Sequence, residues 1–273
     1  MDWSLVLASQ GIETTIEPPG EEHGWMLLVA CKDSERAFQN LRQYRVENRG
    51  WPWLRPLSRN WGFEWSSIGW ALVMILFYWL SSIFPQVFNG GIMDSTKVIS
   101  GQWWRVFTAM SLHADIAHLA TNLTIGILLV GLAMGRYQAG TGLFAAYLAG
   151  AFGNLLSLLV NVRPFRGLGA SGMIMGALGL LAAQSFAHLG RSRPPVKHLF
   201  AGVAAGFMLF VLFGLSPGTD IAAHVGGFIG GLLIGAIWVL LPDNFRESPK
   251  TNIGSGAVLL ALVVWTWGMA LHK

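Results

Sequence analysis

Charge is scarce in this sequence. Asp, Glu, Lys and Arg together make 12% of its 273 residues, about half the share a soluble domain carries. That shortage excludes an ordinary soluble enzyme. With 53% hydrophobic residues and a mean hydropathy of +0.50, it points to an integral membrane protein. Cysteine is nearly absent too. Cys31 stands alone, so an intrachain disulfide framework is excluded, and a reduced thiol in the cytoplasm is expected. No internal repeat or low-complexity tract is found. A cleaved signal peptide is not expected either, because the first long apolar run begins near residue 68 and is too long. The excess of four positive charges does not indicate nucleic acid, since the basic residues lie between apolar runs, where they set orientation.

Long apolar runs are what the sequence has instead. A bilayer-spanning helix needs about 20 mostly apolar residues. Seven stretches qualify or nearly do: 68–88, 114–134, 137–160, 170–187, 198–217, 221–241 and 254–271. With the N-terminus in the cytoplasm, the inside receives Arg55, Arg59, Arg136, Arg191, Arg193, Lys197, Arg246 and Lys250. The outside receives Lys97, Arg105, Arg163, Arg166 and Lys273. The excess inside favours that orientation, and seven helices then put the C-terminus outside.

The first 50 residues differ in chemistry. They carry Glu13, Glu17, Glu21, Glu22 and the turn signal PPGEEHG. The order expected is a short helix, a strand at 12–17, a strand at 24–30 and an amphipathic helix. That helix presents Ala37, Leu41 and Tyr44 on one face and stops at Gly50. Residues 51–66, with four tryptophans, suit a linker lying on the membrane surface. Residues 89–113 form a long connection that is too apolar for a solvated loop, holding Trp103, Trp104, Phe107 and Met110, and it is expected to be partly embedded.

Polar residues inside spans are costly and default to functional hypotheses. The second run holds His118 and Asn122, one helical turn apart, with His113 just before it. The fourth opens at Ser171 within GLGASGMIMG, and the sixth carries His224 in AHVGGFIGG. Each set alone is equally explained by hydrogen bonds between helices, or by small residues at a helix contact. Together they share a depth. The second, fourth and sixth runs point the same way, and the polar groups lie within roughly 5–15 Å of the outer surface. Glue has no reason to sit at one level, whereas a water-reachable site does. A serine hydroxyl needs a base to become nucleophilic, and His224 is the candidate. An oxyanion needs donors, which the Ser171 N–H, His118 and Asn122 can offer. Asp220, four residues before His224, is expected to be a helix N-cap, leaving a Ser–His dyad.

In GASG (169–172), AHVGGFIGG (223–231), HLATN (118–122) and the pair Trp104–Arg105, the chain resembles the rhomboid family of intramembrane serine proteases. The match covers roughly residues 65–245. The resemblance implies a six-helix rhomboid-type bundle; the run at 254–271 departs from it as a seventh C-terminal transmembrane helix, and with the small soluble α/β domain read at the N-terminus the expected fold is an all-α polytopic membrane protein preceded by that domain. The divisions expected are 1–50 for that cytoplasmic domain, 51–66 for the linker, 67–245 for the core and 246–273 for the extra helix. It implies proteolysis of transmembrane substrates near the outer membrane face, with Ser171 as nucleophile and His224 as general base. His118, Asn122 and Gly169 would shape the oxyanion site. The fifth helix and the loop before the sixth would form the substrate gate. The partners implied are transmembrane proteins and the lipid bilayer, with no nucleic acid, cofactor or metal. A multi-pass protein of a bacterial inner membrane is expected. Met175 departs from the pattern, since many relatives carry an aromatic residue there. The competing readings are a silent relative that only binds membrane proteins, and a transporter, which would need charged residues deep in the spans.

Overall fold

In the computed structural model, residues 2–19, 24–47, 62–187 and 220–272 are described. Outside them lie the expected run at 198–217, most of the linker 51–66, Gly50 and the centre of the PPGEEHG turn. The chain divides into two compact units, residues 1–59 and 60–273.

The first unit contains α1 (Asp2–Ser9), β1 (Thr14–Glu17), β2 (Met26–Val29) and α2 (Ser34–Glu47). The strands pair antiparallel, with Thr14 opposite Val29 and Glu17 opposite Met26. Leu7, Ile12 and Ala37 are buried together, and Leu27, Val29 and Leu41 pack around them. This is a small core, and large apolar side chains remain exposed around it, among them Trp25 and Phe38.

The second unit begins with α3 (Ser67–Ile83) and α4 (Pro85–Gly91). The sequence suggested one span from 68 to 88. The chain instead turns by 115° between these two helices. The cause is Pro85, which supplies no N–H and forces Phe84 into an extended conformation. Then come β3 (Met93–Asp94), α5 (Ser95–Ile99), α6 (Arg105–Thr108) and a 3-10 turn, Ala109–Ser111. The expected loop at 89–113 is therefore a folded unit, and Trp104, Arg105, Thr108, Met110 and His113 within it are buried.

Five long helices follow: α7 (Ile116–Tyr137), α8 (Ala139–Val160), α9 (Ser171–Ala187), α10 (Ile221–Leu240) and, after the one-turn α11 (Asp243–Arg246), α12 (Pro249–Leu271). Among the described residues, four helices are long and apolar enough to cross a bilayer, or five if α3 and α4 count as one bent span. The short strand β4 (Arg166–Gly167) pairs antiparallel with β3 just before α9.

α9 lies between α7, α8 and α10, and Ile174, Ala177 and Leu180 along it are almost wholly buried. Glycine decides how close α10 comes. A side chain at Gly227 would strike the Gly172 carbonyl, and one at Gly231 the Gly176 carbonyl. Those pairs rise together in number, so α9 and α10 run parallel. Gly226 and Gly230 turn the other way, onto Gly153 and Phe152 of α8. Two interleaved glycine pairs thus let one helix press its backbone against two neighbours.

Candidate active site

Ser171 is the first residue of α9. Its backbone N–H belongs to the first turn of a helix, where amide groups have no partner inside the helix and the dipole favours negative charge. Gly169 has φ +121°, a conformation that side chains rarely tolerate. Its N–H donates to the Ala109 carbonyl at 3.0 Å. A Cβ on Gly169 would lie 2.8 Å from Cε1 and 2.9 Å from Nε2 of His118, and 3.8 Å from the Ser171 hydroxyl oxygen. His118, Gly169 and Ser171 therefore meet at one point, and Gly169 is bare because the imidazole occupies the space.

His118 is set there by the start of α7. Asp115 caps that helix, accepting the His118 N–H at 2.8 Å, which fixes His118 in the first turn. Its ring meets the ring of His113 edge-on, with centroids 5.3 Å apart. His113 precedes the span and is buried. Burial first, then the neighbouring His118, push its pKa down to about 4, so it is neutral at ordinary pH. Asn122, one turn further along α7, donates its amide to the His118 carbonyl at 2.9 Å. One of its N–H groups is thus spent on its own helix, and the second remains.

His224 is buried in the first turn of α10. The turn that carries it lies on the turn that carries Ser171: a Cβ on Gly172 would be 3.5 Å from the carbonyl of Ala223, next to His224. His118 lies within electrostatic reach of His224. Asp220 is the N-cap of α10, accepting the Ala223 N–H at 3.0 Å, while its other oxygen takes the Ser157 hydroxyl of α8. Both carboxylate oxygens are thus engaged.

Three residues bearing on the site were not singled out from the sequence. Asn154 of α8 donates to the Val106 carbonyl at 2.7 Å. Ser157 holds Asp220, and Ala109 holds Gly169. Asn154 and Ser157 lie three apart in an otherwise apolar run, a signal of the same kind as His118 and Asn122. Ala109 acts through its backbone and carries no signal. Outside the cleft, Asp94 and Arg166 tie β3 to β4 at 3.2 Å. The Thr96 hydroxyl, most of all, holds the Asp94 carboxyl below the usual range. Among the described residues no cluster of His, Cys, Asp and Glu could hold a metal ion.

The arrangement joins a hydroxyl at a helix start, two imidazoles at its level and a backbone strained to leave room beside it. That set suits nucleophilic attack with an anion formed at the helix terminus. The Rhomboid domain model matches residues 100–241, 142 of the 273 residues. The chain is 32% identical to rhomboid protease GluP of Bacillus subtilis over 67% of its own length and 35% of GluP. It is 28% identical to rhomboid protease AarA of Providencia stuartii over 64% of its length and 70% of AarA. RHOMBOID-like protein 4 of Arabidopsis thaliana is 30% identical over 62% of the chain and 43% of that protein. The chain thus spans about a third of GluP and under half of the Arabidopsis protein. The matched region contains residues 100–113 of the connection, Ser171, His118 and His224, and by that match the chain belongs to the rhomboid family.

Proposed function

We propose that this chain is an intramembrane serine protease that cleaves transmembrane proteins through a Ser171–His224 dyad. The observation that carries the reading is the meeting of His118, Gly169 and Ser171 at the start of α9, with the His224 turn of α10 packed on the next residue. Ser171 attacks the scissile carbonyl while His224 takes its proton, then returns it to the leaving amine. The oxyanion forms beside the N–H of Ser171, with His118 and the free N–H of Asn122 as further donors. Asp220 is assigned to capping α10 and holding Ser157 rather than to orienting the imidazole. The relatives named rhomboid protease support this activity.

The membrane arrangement is part of the proposal. The core has six spans and α12 is a seventh, with division points at 50, 66 and 245. Residues 1–50 form a small cytoplasmic α/β domain, the protein resides in a bacterial inner membrane, and cleavage takes place near the outer face.

Two measurements test this. Purified protein in detergent is treated with a fluorophosphonate probe. Wild type is expected to label, while Ser171→Ala and His224→Ala stay folded and do not. Labelling of either variant at the wild-type rate overturns the dyad. For orientation, Cys31 is exposed and is the sole cysteine. An impermeant maleimide is expected to modify it only after cells are opened; modification in intact cells would place the N-terminal unit outside.

A further inference from the structure

α12 lies beyond the segment that matches the Rhomboid domain. It is nevertheless pressed against the folded connection between α3 and α7. A Cβ on Gly91 would lie 2.5 Å from Cη2 of Trp267 and 3.1 Å from the Leu112 side chain. One turn of helix further, a Cβ on Gly90 would lie 2.5 Å from the Ala270 carbonyl oxygen. Trp267 is buried and stacks on Phe77 of α3, with ring centroids 4.6 Å apart. Trp265 meets Trp103 of the connection at 4.9 Å.

These contacts continue toward the site. The Gly91 carbonyl accepts the Thr108 hydroxyl at 2.7 Å. Arg105, buried beside it, donates to the carbonyls of Asn89 at 2.9 Å and Ile92 at 2.7 Å. The residue after Thr108 is Ala109, whose carbonyl holds the Gly169 N–H. From Trp267 the path is Gly91, Thr108, Ala109, Gly169, and Ser171 is two residues on. Asn154 of α8 fixes the far side of the same segment through Val106. The connection is thus gripped between α12 and α8.

We propose that Trp267 is a positioning residue for the reaction: it holds the connection at the height at which Ala109 fixes Gly169 beside Ser171. This rests on the reading of Ser171 as nucleophile. Small displacements at a reacting centre cost large factors in rate, up to about a hundredfold for roughly 1 Å. Coupling along this path is read by a double-mutant cycle.

The full chain is purified as wild type, Trp267→Ala, Trp267→Phe, Gly91→Ala and the Gly91→Ala/Trp267→Ala double variant. The fluorophosphonate labelling rate and amide exchange of residues 166–170 are measured for each. Trp267→Ala is expected to slow labelling roughly tenfold or more, and Trp267→Phe, which keeps a ring on Phe77, less than about threefold. Gly91→Ala, which pushes a methyl into the indole, slows labelling in the wild-type background. It costs less in Trp267→Ala, where only the looser contact with Leu112 remains. Exchange at Gly169 rises in both single Ala variants while α9 and α10 keep their protection. Equal Gly91→Ala penalties in both backgrounds overturn the proposal, as does protection lost evenly along α9 and α10. If Trp267→Ala does not fold, Gly91→Ala poses the question from the loop side without removing a side chain. Exchange does not require an active enzyme. A wild type that never labels would therefore sink the dyad reading, and the Gly169 amide would still decide the role of Trp267.

Discussion

The two seams that bound the candidate site are made of opposite materials. Between α9 and α10, glycine meets peptide: Gly227 and Gly231 lie on the carbonyls of Gly172 and Gly176. Between α12 and the connection before α7, tryptophan meets glycine: Trp267 fills the space left bare at Gly91. Backbone against backbone has nothing that can yield, because neither partner has a rotamer to change. An indole against a glycine can tilt or slide. One wall of the site is therefore rigid and the other adjustable, and the serine and His224 stand on the rigid wall.

Substitutions can break that contrast. The largest effect is expected from Gly227→Val, whose side chain is driven into the Gly172 backbone. Overpacking of this kind costs about 1–3 kcal/mol or more, and labelling and recovery of folded protein should both collapse. Gly256→Ala, on the face of α12 toward α8, is the matched control. Its Cβ would meet only Gly140 Cα at an ordinary 3.7 Å, so labelling and thermal midpoint should stay at wild type. Collapse of Gly256→Ala as well would mean that an added methyl is harmful even where there is room for it, and that the loss at Gly227 does not report the rigidity of its seam.

Asn154→Ala sharpens the comparison from the α8 side. Losing its bond to Val106 costs about 1 kcal/mol, and labelling should slow about fivefold, with the thermal midpoint lowered slightly. Unchanged labelling would remove α8 from the grip on the connection. The last effect is one of pH and is confined to acid conditions. His113 has its pKa depressed to about 4 by burial, then by His118, while an unfolded histidine titrates near 6.5. In that window the unfolded chain binds more protons, so stability falls as pH drops from about 6.5 toward 4. His113→Phe should flatten the midpoint-against-pH curve there, and a curve of wild-type slope would show that His113 is not the group responsible.

Much of this architecture was legible in hydropathy and in short motifs. The apolar runs at 137–160 and 221–241 are α8 and α10 to within two residues. The glycines around Ser171 and after His224 announced a close helix pair. Asp115 and Asp220 stand where caps are needed, just before an apolar run. What was hidden depends on partners far along the chain. The break at Pro85 was masked because apolar residues continue on both sides of it. The connection at 89–113 reads as a loop because its helices are single turns, held by Arg105, Thr108 and Asn154 rather than by their own length. Ala109 was invisible, since its part is played by a carbonyl that every residue has.

One joint bears on how such a chain is made. α8 starts directly after Gln138, which has φ 70° and offers no side-chain cap. The N–H groups of Gly140 and Thr141 are taken instead by the Asn252 side chain of α12, at 2.7 and 3.3 Å. On the ribosome, Asn252 is added more than a hundred residues after Gly140. The opening turn of α8 must therefore wait, half-finished in the bilayer, until the last helix is inserted. A nascent chain halted before residue 249 should leave that turn open to exchange, and insertion of α12 is then the step that completes α8.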